Sequence, residues 1–486
     1  MALVLVAVGA LSVVAAGCQE GEASGAQSNA LSSSVWPAPP ITDRTIVAQV
    51  RRELASHPAV AGQKIEVEVT EGVVTLRGEV DNLRARRAAT EIGEAIKGVR
   101  AVVNVIGVKP ALRPDAAIRR DVLDALATNA ATSAYPLTVE VRGSQVTLRG
   151  RLESWVEKQL AGEVARGIRG VAALNNAITV TYPRRRHDSA ITRDVQAALQ
   201  NDVRLNPGSG PIDVDVHGGR VWLRGTVGSA AEKSQASYDA WVYGTRAVDD
   251  SELVVEYWAP DPMRAMQLPS HDDAKTRRAV RAALTLDPRV SVEELRVRAQ
   301  DGVVTLDGVV DSLQGKRAAE ETAGDTVGVF RVVDLLDVRE VPTVDDARLA
   351  RRVHQVLGWD PVLGRYRLGA GVDEHVAWLR GVVPSVYDRQ LAERAVAQIP
   401  GITAIADHLR ISGSGPALSD RGLRNRVRER LDWTPGLIPG RVKVRAADQV
   451  VTLSGVVRSY HARRLAEARA WDAGAWRVDN TLIVER

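Results

Sequence analysis

Hydrophobic residues follow one pattern that recurs along most of the chain. Apolar residues at spacings of three and four predict a helix, as at Ile46, Val50 and Leu54. Alternating apolar and polar residues then predict a strand, as over residues 65–69. The same succession begins again near residues 115, 188, 272, 345 and 420. We therefore expect six copies of one structural unit.

Two sequence markers keep the period of this repeat. An aspartate precedes each first helix and is expected at the N-cap, where its carboxylate accepts free backbone N–H groups. These aspartates are Asp43, Asp115, Asp188, Asp272, Asp345 and Asp420. The second marker is a strand of the form Thr/Trp-Leu-x-Gly, and its last residues are Gly78, Gly150, Gly225, Gly308, Gly381 and Gly455, which are 72, 75, 83, 73 and 74 residues apart. Two independent markers with the same period exclude chance.

Each copy is predicted to contain a helix, a hairpin of two strands, an Ala-rich helix and a last strand. The fold class is therefore α+β, as a tandem array of six small α-β-β-α-β modules. Each module is expected to be a three-stranded sheet with two helices on one face and the other face open. A unit of this size buries little surface and is marginally stable alone. The predicted modules span 43–108, 115–180, 188–255, 272–338, 345–411 and 420–486.

The first 42 residues have a different composition. Ala2–Gly17 is apolar or small except for Ser12, which is short for a membrane-spanning helix but fits the core of a signal peptide. Residues 1–18 resemble a bacterial lipoprotein signal, which implies lipidation of Cys18, the single cysteine. Ala15 stands where such signals more often have Leu, and an ordinary cleaved secretory signal is the alternative. Residues 19–42, rich in Ser, Ala, Gly and Pro, are expected to form a flexible tether.

Composition argues against a disordered chain, and charge does not point to a nucleic-acid partner. Hydrophobic residues make up 45% of the chain, enough for folded cores. The 64 basic and 60 acidic residues are interspersed, which is typical of a solvated surface and does not favour nucleic acid as a partner.

No recognisable catalytic or metal-binding pattern is found. The eight histidines share no position in the repeat, and there is no His-Glu-x-x-His pair, no Gly-x-Ser-x-Gly turn and no phosphate-binding Gly-rich loop. We therefore expect no enzyme activity, cofactor or metal.

The repeat resembles the BON domain, named for bacterial osmotically inducible and nodulation-associated proteins. The resemblance rests on the strand-glycine signature above and on a later Gly-Val element, as at Gly98-Val99 and Gly328-Val329. It implies a periplasmic or outer-membrane-associated protein that contacts phospholipid or has a chaperone-like role in the envelope, without catalysis. The third and sixth copies depart from it at Gly244-Thr245 and Ala475-Trp476, so their last strands are expected to be altered.

The open sheet faces are predicted to carry cross-strand ion pairs in copies one to four. If Val74 and Leu76 face the helices, Arg77 faces outward beside acidic residues of the first strand, because strand residues alternate between faces. Copies two and three repeat this arrangement at Glu140 beside Arg149 and at Asp213 and Asp215 beside Arg224. Copy four reverses both signs, with Arg296 and Arg298 beside Asp307.

Copy six lacks this compensation. Lys443 and Arg445 lie beside Ser454, and Arg441 is close by. Its open face is therefore predicted to be basic and is a candidate contact for anionic phospholipid headgroups. An ordinary solvated basic face is the alternative.

Four tryptophans are candidate contact residues. Trp222 and Trp378 replace the outward Thr in copies three and five, and Trp359 and Trp433 follow the first helices of copies five and six. Each is interpreted either as packing or as contact with a membrane interface or an apolar partner segment. For Trp378, packing is favoured because Gly369 and Gly371 are expected opposite it.

Three functions remain open. The first is a lipoprotein adaptor on the periplasmic side of a bacterial membrane, bound through its N-terminal lipid, with copies five and six contacting anionic phospholipid or envelope protein clients. Gln19 after the cysteine favours the outer membrane. The second is a soluble, stress-linked periplasmic chaperone, and the third is a purely structural spacer, six modules long.

Overall fold

The computed structural model describes residues 41–205, 212–256, 272–291, 295–341, 343–413 and 418–485. The predicted signal peptide, Cys18 and nearly all of the tether lie outside the described residues. Within them, six modules follow the order helix, strand, strand, helix, strand, which confirms the α+β array. The modules are numbered 1 to 6 along the chain.

Each module has a first helix whose apolar stripe packs on the sheet. In module 1, Ile46, Val50 and Leu54 are buried, as their spacing predicts. The six first helices are Asp43–Ser56, Asp115–Thr128, Asp188–Asn201, Asp273–Leu286, Asp346–Trp359 and Asp420–Trp433.

The second helices begin after an Asn or Ser whose side chain accepts an N–H from the first turn, and this cap sets where they start. Small alanines such as Ala89 and Ala161 are buried on them and allow close approach to the sheet. The six second helices are Leu83–Glu94, Trp155–Arg166, Ala230–Asp239, Leu313–Gly324, Val386–Ala397 and Tyr460–Asp472.

Every sheet has its second strand in the centre. This central strand pairs antiparallel with the first strand through the hairpin and parallel with the final strand, which follows the second helix. The first strands are Lys64–Thr70, Leu137–Arg142, Asp213–His217, Arg296–Gln300, Gly369–Asp373 and Val442–Ala447. The central strands are Val73–Val80, Gln145–Leu152, Arg220–Val227, Val303–Val310, Val376–Val383 and Val450–Val457.

The final strands differ among the modules. The predicted alterations occur: module 3 has a register shift between Asp249 and Glu252, and the final strand of module 6 is interrupted after Asn480. Module 1 has the same interruption after Asn104, which was not predicted. The final strands are Ala101–Asn104 with Gly107–Val108, Ala173–Val180, Ala247–Val255, Arg331–Val338, Ala404–Ile411, and Arg477–Asn480 with Ile483–Val484.

The repeated aspartate has a different role from the one predicted. Only Asp272 and Asp345 are N-caps, whereas the other four predicted caps lie inside the first turn. In every module one first-turn aspartate accepts two backbone N–H groups of the hairpin turn, at 2.7–3.4 Å. These anchoring residues are Asp43, Asp115, Asp188, Asp273, Asp346 and Asp420. In modules 4 and 5 the anchor is thus the residue after the predicted one.

The glycine of the central strand has a backbone conformation that other residues rarely adopt. Its φ lies between +120° and +151° in all six modules. A Cβ at Gly78 would overlap the carbonyl oxygen of Lys64, and one at Gly455 would overlap that of Arg441. The glycine therefore lets the central strand approach its neighbour closely, which explains why it marks the repeat.

The six modules form two halves of three modules each. In the N-terminal half, which contains modules 1–3, Trp155 of module 2 stacks on Trp241 of module 3 with 4.7 Å between ring centroids. Ser234 of module 3 donates to Glu94 of module 1 at 3.1 Å, and module 1 pairs with module 2 through Arg87 and Glu163. These contacts join the second helices into a closed set of three.

The C-terminal half, which contains modules 4–6, is built in the same way. Arg317 of module 4 pairs with Glu393 of module 5 at 3.2 Å, and Tyr460 of module 6 donates to Glu320 of module 4 at 3.0 Å. The second helices of modules 5 and 6 also pack together. Here too the second helices are turned toward one another.

The halves meet chiefly as three nested module pairs: 1 with 6, 2 with 5, and 3 with 4. Module 1 also contacts module 5, where Arg84 lies 3.5 Å from Asp360. In each pair a backbone N–H after the second helix of one module donates to the last carbonyl of the first helix in the other. The donors and acceptors are Lys97 to Trp433 (3.1 Å), Arg169 to Trp359 (2.7 Å) and Val327 to Asn201 (2.7 Å). Modules 2 and 5 also share one hydrophobic cluster. The first module thus contacts the last, so a spacer six modules long does not describe this structure.

Candidate ligand-binding surfaces

The open faces of the sheets carry most of the predicted ion pairs. Val74 and Leu76 are fully buried under the helices, and Arg77 lies outward with its Nε 3.6 Å from Glu68 Oε2. Module 2 pairs Arg149 with Glu140 at 3.8 Å, and module 4 pairs Arg298 with Asp307 at 3.4 Å. All three pairs are exposed, so each contributes at most about 1 kcal/mol to stability.

Module 3 differs from the predicted arrangement. Arg224 pairs with Glu252 of the final strand at 3.0 Å and not with Asp213 or Asp215 of the first strand. Asp215 instead lies 3.2 Å from His217. The sequence does not reveal which residue of the final strand faces Arg224, because the register between these strands depends on a long crossover.

The open face of module 6 is basic, but less so than expected. Arg441 is neutralised by Glu485, with 2.8 Å between Nη1 and Oε2. Lys443 lies opposite Ser454 and Arg445 opposite Thr452. Both are exposed, and no carboxylate among the described residues comes within 4 Å of either ammonium or guanidinium group. The uncompensated charge is therefore confined to Lys443 and Arg445.

Module 5 has a second basic face that sequence reasoning missed. Arg380 of the central strand lies opposite His408 of the final strand, and Arg410 follows two residues later on the same face. All three are exposed, and no ion pair joins them to a described carboxylate. Their alternation with the buried Leu409 is visible in the sequence and could have revealed them.

Trp378 lies flat on the open face of module 5. It is opposite Gly371, where a Cβ would overlap the indole ring, and the guanidinium of Arg380 lies 5.1 Å from its ring centroid. The glycines thus make room for the ring, as their positions indicated. Trp222 holds the equivalent place in module 3, between His217 and Arg220.

Trp359 and Trp433 do not lie on an open face. Trp359 is only 7% exposed and belongs to the cluster shared by modules 2 and 5. Trp433 packs against the core of module 1, and its carbonyl accepts the Lys97 N–H. Both occupy contacts between the halves, which favours the packing alternative over membrane contact. Sequence patterns within one module do not reveal such contacts.

Strongly perturbed ionisable groups lie where the modules meet. At the 1·6 contact Arg430 is 3% exposed and lies 3.0 Å from Glu53. Burial raises the pKa of Glu53 above its ordinary value although Arg430 opposes this. Burial also lowers the pKa of His57, which lies 3.9 Å from Asp472. At the 3·4 contact, burial and the neighbouring Asp202 raise the pKa of Asp239. These groups belong to the assembly of the array.

Neither a metal centre nor a membrane span is present in the part of the chain that the structure describes. There, no three His, Cys, Asp or Glu side chains are grouped so that they could hold a metal ion. Within the same ranges, no helix is long and apolar enough to cross a bilayer.

The repeated fold, its anchoring aspartates and its strand glycines define a tandem array of small α+β modules. The chain belongs to the BON domain family, whose model matches residues 42–110, 114–182, 187–257, 272–340, 345–413 and 419–486. It is 24% identical over 141 residues to the osmotically-inducible protein Y of Escherichia coli strain K12, a match that covers 28% of this chain and 70% of that protein.

Two solved structures are also similar to parts of the chain. Both are of CdsD, a structural protein of the type III secretion system of Chlamydia trachomatis, and one is its C-terminal domain. They are 15% identical, cover 46% and 44% of this chain and all of their own, and have TM-scores of 0.13 and 0.12. At these scores no conclusion is drawn from the likeness.

Proposed function

We propose that this protein is a non-enzymatic adaptor of the bacterial cell envelope whose open sheet faces bind anionic phospholipid. Lys443 and Arg445, exposed and without a described counter-charge, carry the proposal. Arg380 and Arg410 add a second cationic strip on module 5, with His408 on the same face. Clustered cations near a membrane are attracted to anionic headgroups by about 1 kcal/mol each.

Family membership and the amino-terminal sequence support a location in the envelope. The chain is similar to an osmotically inducible protein, which favours a stress-related role. In the proposal, residues 1–18 are a lipoprotein signal, Cys18 is lipidated and the protein is held on the periplasmic side, at the outer membrane. Module 6 contacts module 1, so no intervening module separates the first module from the one with the basic face.

A vesicle-binding assay tests the proposal. The chain from residue 41, which removes any contribution of a lipid on Cys18, is pelleted with vesicles of phosphatidylcholine alone or with 30% (about one third) phosphatidylglycerol. We expect binding only to the anionic vesicles, and a decrease of at least about 30-fold in the Lys443→Glu/Arg445→Glu variant, because two cations are lost and two anions are added.

Module 4 provides a matched control. Arg296 and Arg298 occupy the same two strand positions as Lys443 and Arg445, but Asp307 lies opposite Arg296. The Arg296→Glu/Arg298→Glu variant has the same net charge as the test variant and should retain most of its binding. Equal losses in both variants would show that binding follows total charge, and undiminished binding of the test variant would overturn the assignment to module 6.

A chaperone for unfolded envelope proteins is a second candidate, because several apolar side chains lie exposed on the final strands or, like Val105, in the interruption of one. Val103 is 46%, Val105 51% and Leu335 58% exposed. Exposed apolar residues on sheet faces can hold extended client segments. If the chain suppresses aggregation of a heat-unfolded client and Leu335→Lys abolishes this, the chaperone role is supported. No suppression at a fivefold molar excess (roughly saturating for a micromolar binder) argues against it.

A further inference from the structure

The contact between the halves runs in both directions. In the 1·6 and 2·5 pairs, the N-terminal half donates from the loop after its second helices, through Lys97 and Arg169. In the 3·4 pair the C-terminal half donates from the same loop, through Val327 to the carbonyl of Asn201. An interface in which each partner makes the same contact to the other is two-fold in character. In this two-fold arrangement, modules 4, 5 and 6 correspond in position to modules 1, 2 and 3 of a second N-terminal half.

The N-terminal half keeps the backbone groups of this contact but not its ionic side chains. By position in their modules, Val242 and Ala198 of module 3 correspond to Asp472 and Arg430 of module 6. A pair of N-terminal halves is therefore the weaker complex and relies on the backbone contacts. Val203 donates to the carbonyl of Asp325, the C-cap of the second helix in module 4. If a second N-terminal half took the place of modules 4–6, the C-cap of its second helix in module 1 would be Ala95. The carbonyl of Ala95 would then accept the Val203 N–H in place of the Asp325 carbonyl.

The connectors divide the chain at the same place. Between the final strand of one module and the next first helix there are 6 to 8 residues at the 1–2, 2–3, 4–5 and 5–6 connections. Between Val255 and Asp273 there are 17, residues 256–272. The halves are thus joined by the longest connector and otherwise held by non-covalent contacts.

We propose that the surface between the halves is self-complementary, and that the N-terminal half of one chain binds the N-terminal half of a second copy when its own C-terminal half is displaced. Module 1 would then pair with module 3 of the other copy, and module 2 with module 2. The chain is a covalently joined form of a dimer of three-module halves. Copies concentrated on one membrane would be able to exchange halves and become linked.

Cleavage of the full array tests this proposal. A protease site is inserted into the 257–271 segment of the chain from residue 41, the protein is cut, and the halves are examined by native mass spectrometry. We expect the cut halves to remain a 1:1 complex. After separation on an affinity tag in urea and return to buffer, the N-terminal half alone is expected to be folded by circular dichroism and dimeric at micromolar concentration.

Three outcomes would overturn the proposal. The cut halves separate in native buffer, or the isolated N-terminal half is a folded monomer, or it stays unfolded until the C-terminal half is added. The last two would show that the surface accepts only the unlike half.

A proline substitution gives a readout specific to the two-fold arrangement. Val203→Pro removes the N–H that bonds Asp325, and modules 1, 4, 5 and 6 already have proline at this position, as Pro58, Pro288, Pro361 and Pro435. One lost hydrogen bond should weaken the 1:1 complex about fivefold. The homodimer should weaken about 25-fold, because the bond occurs twice there. Equal effects on both complexes would contradict the two-fold arrangement.

Discussion

At the scale of single residues, one aspartate per module joins three elements. Its carboxylate lies in the first turn of the first helix and accepts both N–H groups of the hairpin turn, as Asp188 does from Gly218 and Gly219 at 2.8 and 2.9 Å. These bonds lower the pKa of Asp188 below its ordinary value of 3.8. The sequence revealed the period of these aspartates but not their partner, because the turn lies about 30 residues away, beyond any local pattern.

We predict that the hairpin of module 3 loosens in acid. Because the folded-state pKa of Asp188 is lowered, its contribution is present above pH 3.8 and is lost as the pH falls through the folded pKa. Hydrogen exchange of the Gly218 and Gly219 amides should accelerate in Asp188→Ala at pH 6, with the amides of module 2 unchanged as the internal control. Unaltered exchange of Gly218 and Gly219 would refute the anchoring role.

At the scale of elements, most of each module was predictable. Helix and strand order, the buried face and the open face follow from the spacing of apolar residues, and Gly78 and its counterparts mark the central strand. Outward residues of the final strand, such as His408 and Arg410, were missed because no short turn fixes the register between two parallel strands. The reason for the glycine becomes clear only from the close carbonyl of the neighbouring strand.

Two glycines of module 6 separate the effect of this close approach from that of backbone conformation. Gly455 and Gly436 both have positive φ, but only a Cβ at Gly455 would meet a neighbouring backbone atom, the Arg441 carbonyl oxygen. We predict that Gly436→Ala destabilises module 6 by about 1 kcal/mol. Gly455→Ala should cost clearly more, because the two strands must also move apart. Urea unfolding followed by hydrogen exchange within module 6 measures both, and equal losses would contradict the steric explanation.

At the scale of the whole molecule, the nested pairing could not be read from the repeats. The contacts between modules use residues that differ from copy to copy, such as Trp359 in one pair and Asn201 in another. Short connectors limit how far apart successive modules can lie, but they do not determine which modules pair. Sequence reasoning therefore left Trp359 and Trp433 open between packing and membrane contact, whereas the structure places them between the halves.

The 1·6 contact is predicted to depend on a buried ion pair. Arg430→Ala leaves Glu53 buried without its counter-charge, which should destabilise the contact by about 3–5 kcal/mol. The neutral pair Glu53→Gln/Arg430→Met should recover most of that loss. The readout is the exchange rate of the Lys97 amide, which bonds the Trp433 carbonyl. A double variant as loose as Arg430→Ala would argue against the ion-pair explanation.

The same contact should weaken below neutral pH. His57 faces Asp472, Arg430 and Arg469, and its folded-state pKa is lowered, mainly by burial, from 6.5. The contribution of His57 to the stability of the contact is therefore complete above pH 6.5. It is lost as the pH falls from 6.5 toward the folded-state pKa. Glu53, which faces Arg430, Arg469, Asp472 and Arg52, has a raised pKa and acts in the opposite direction. Faster exchange of the Lys97 amide, corrected for intrinsic rate, is expected at pH 5.5 than at pH 7.5, and His57→Gln should remove the difference.

Small-angle X-ray scattering of the chain from residue 41 tests most directly whether the six modules close on themselves. A compact unit of this length should have a radius of gyration of about 22 Å. We predict a value close to that, and an increase in Arg430→Ala, in which the first and last modules separate. An elongated profile for the unmodified chain, with a radius of gyration of roughly twice the compact value, would contradict the nested pairing of the modules.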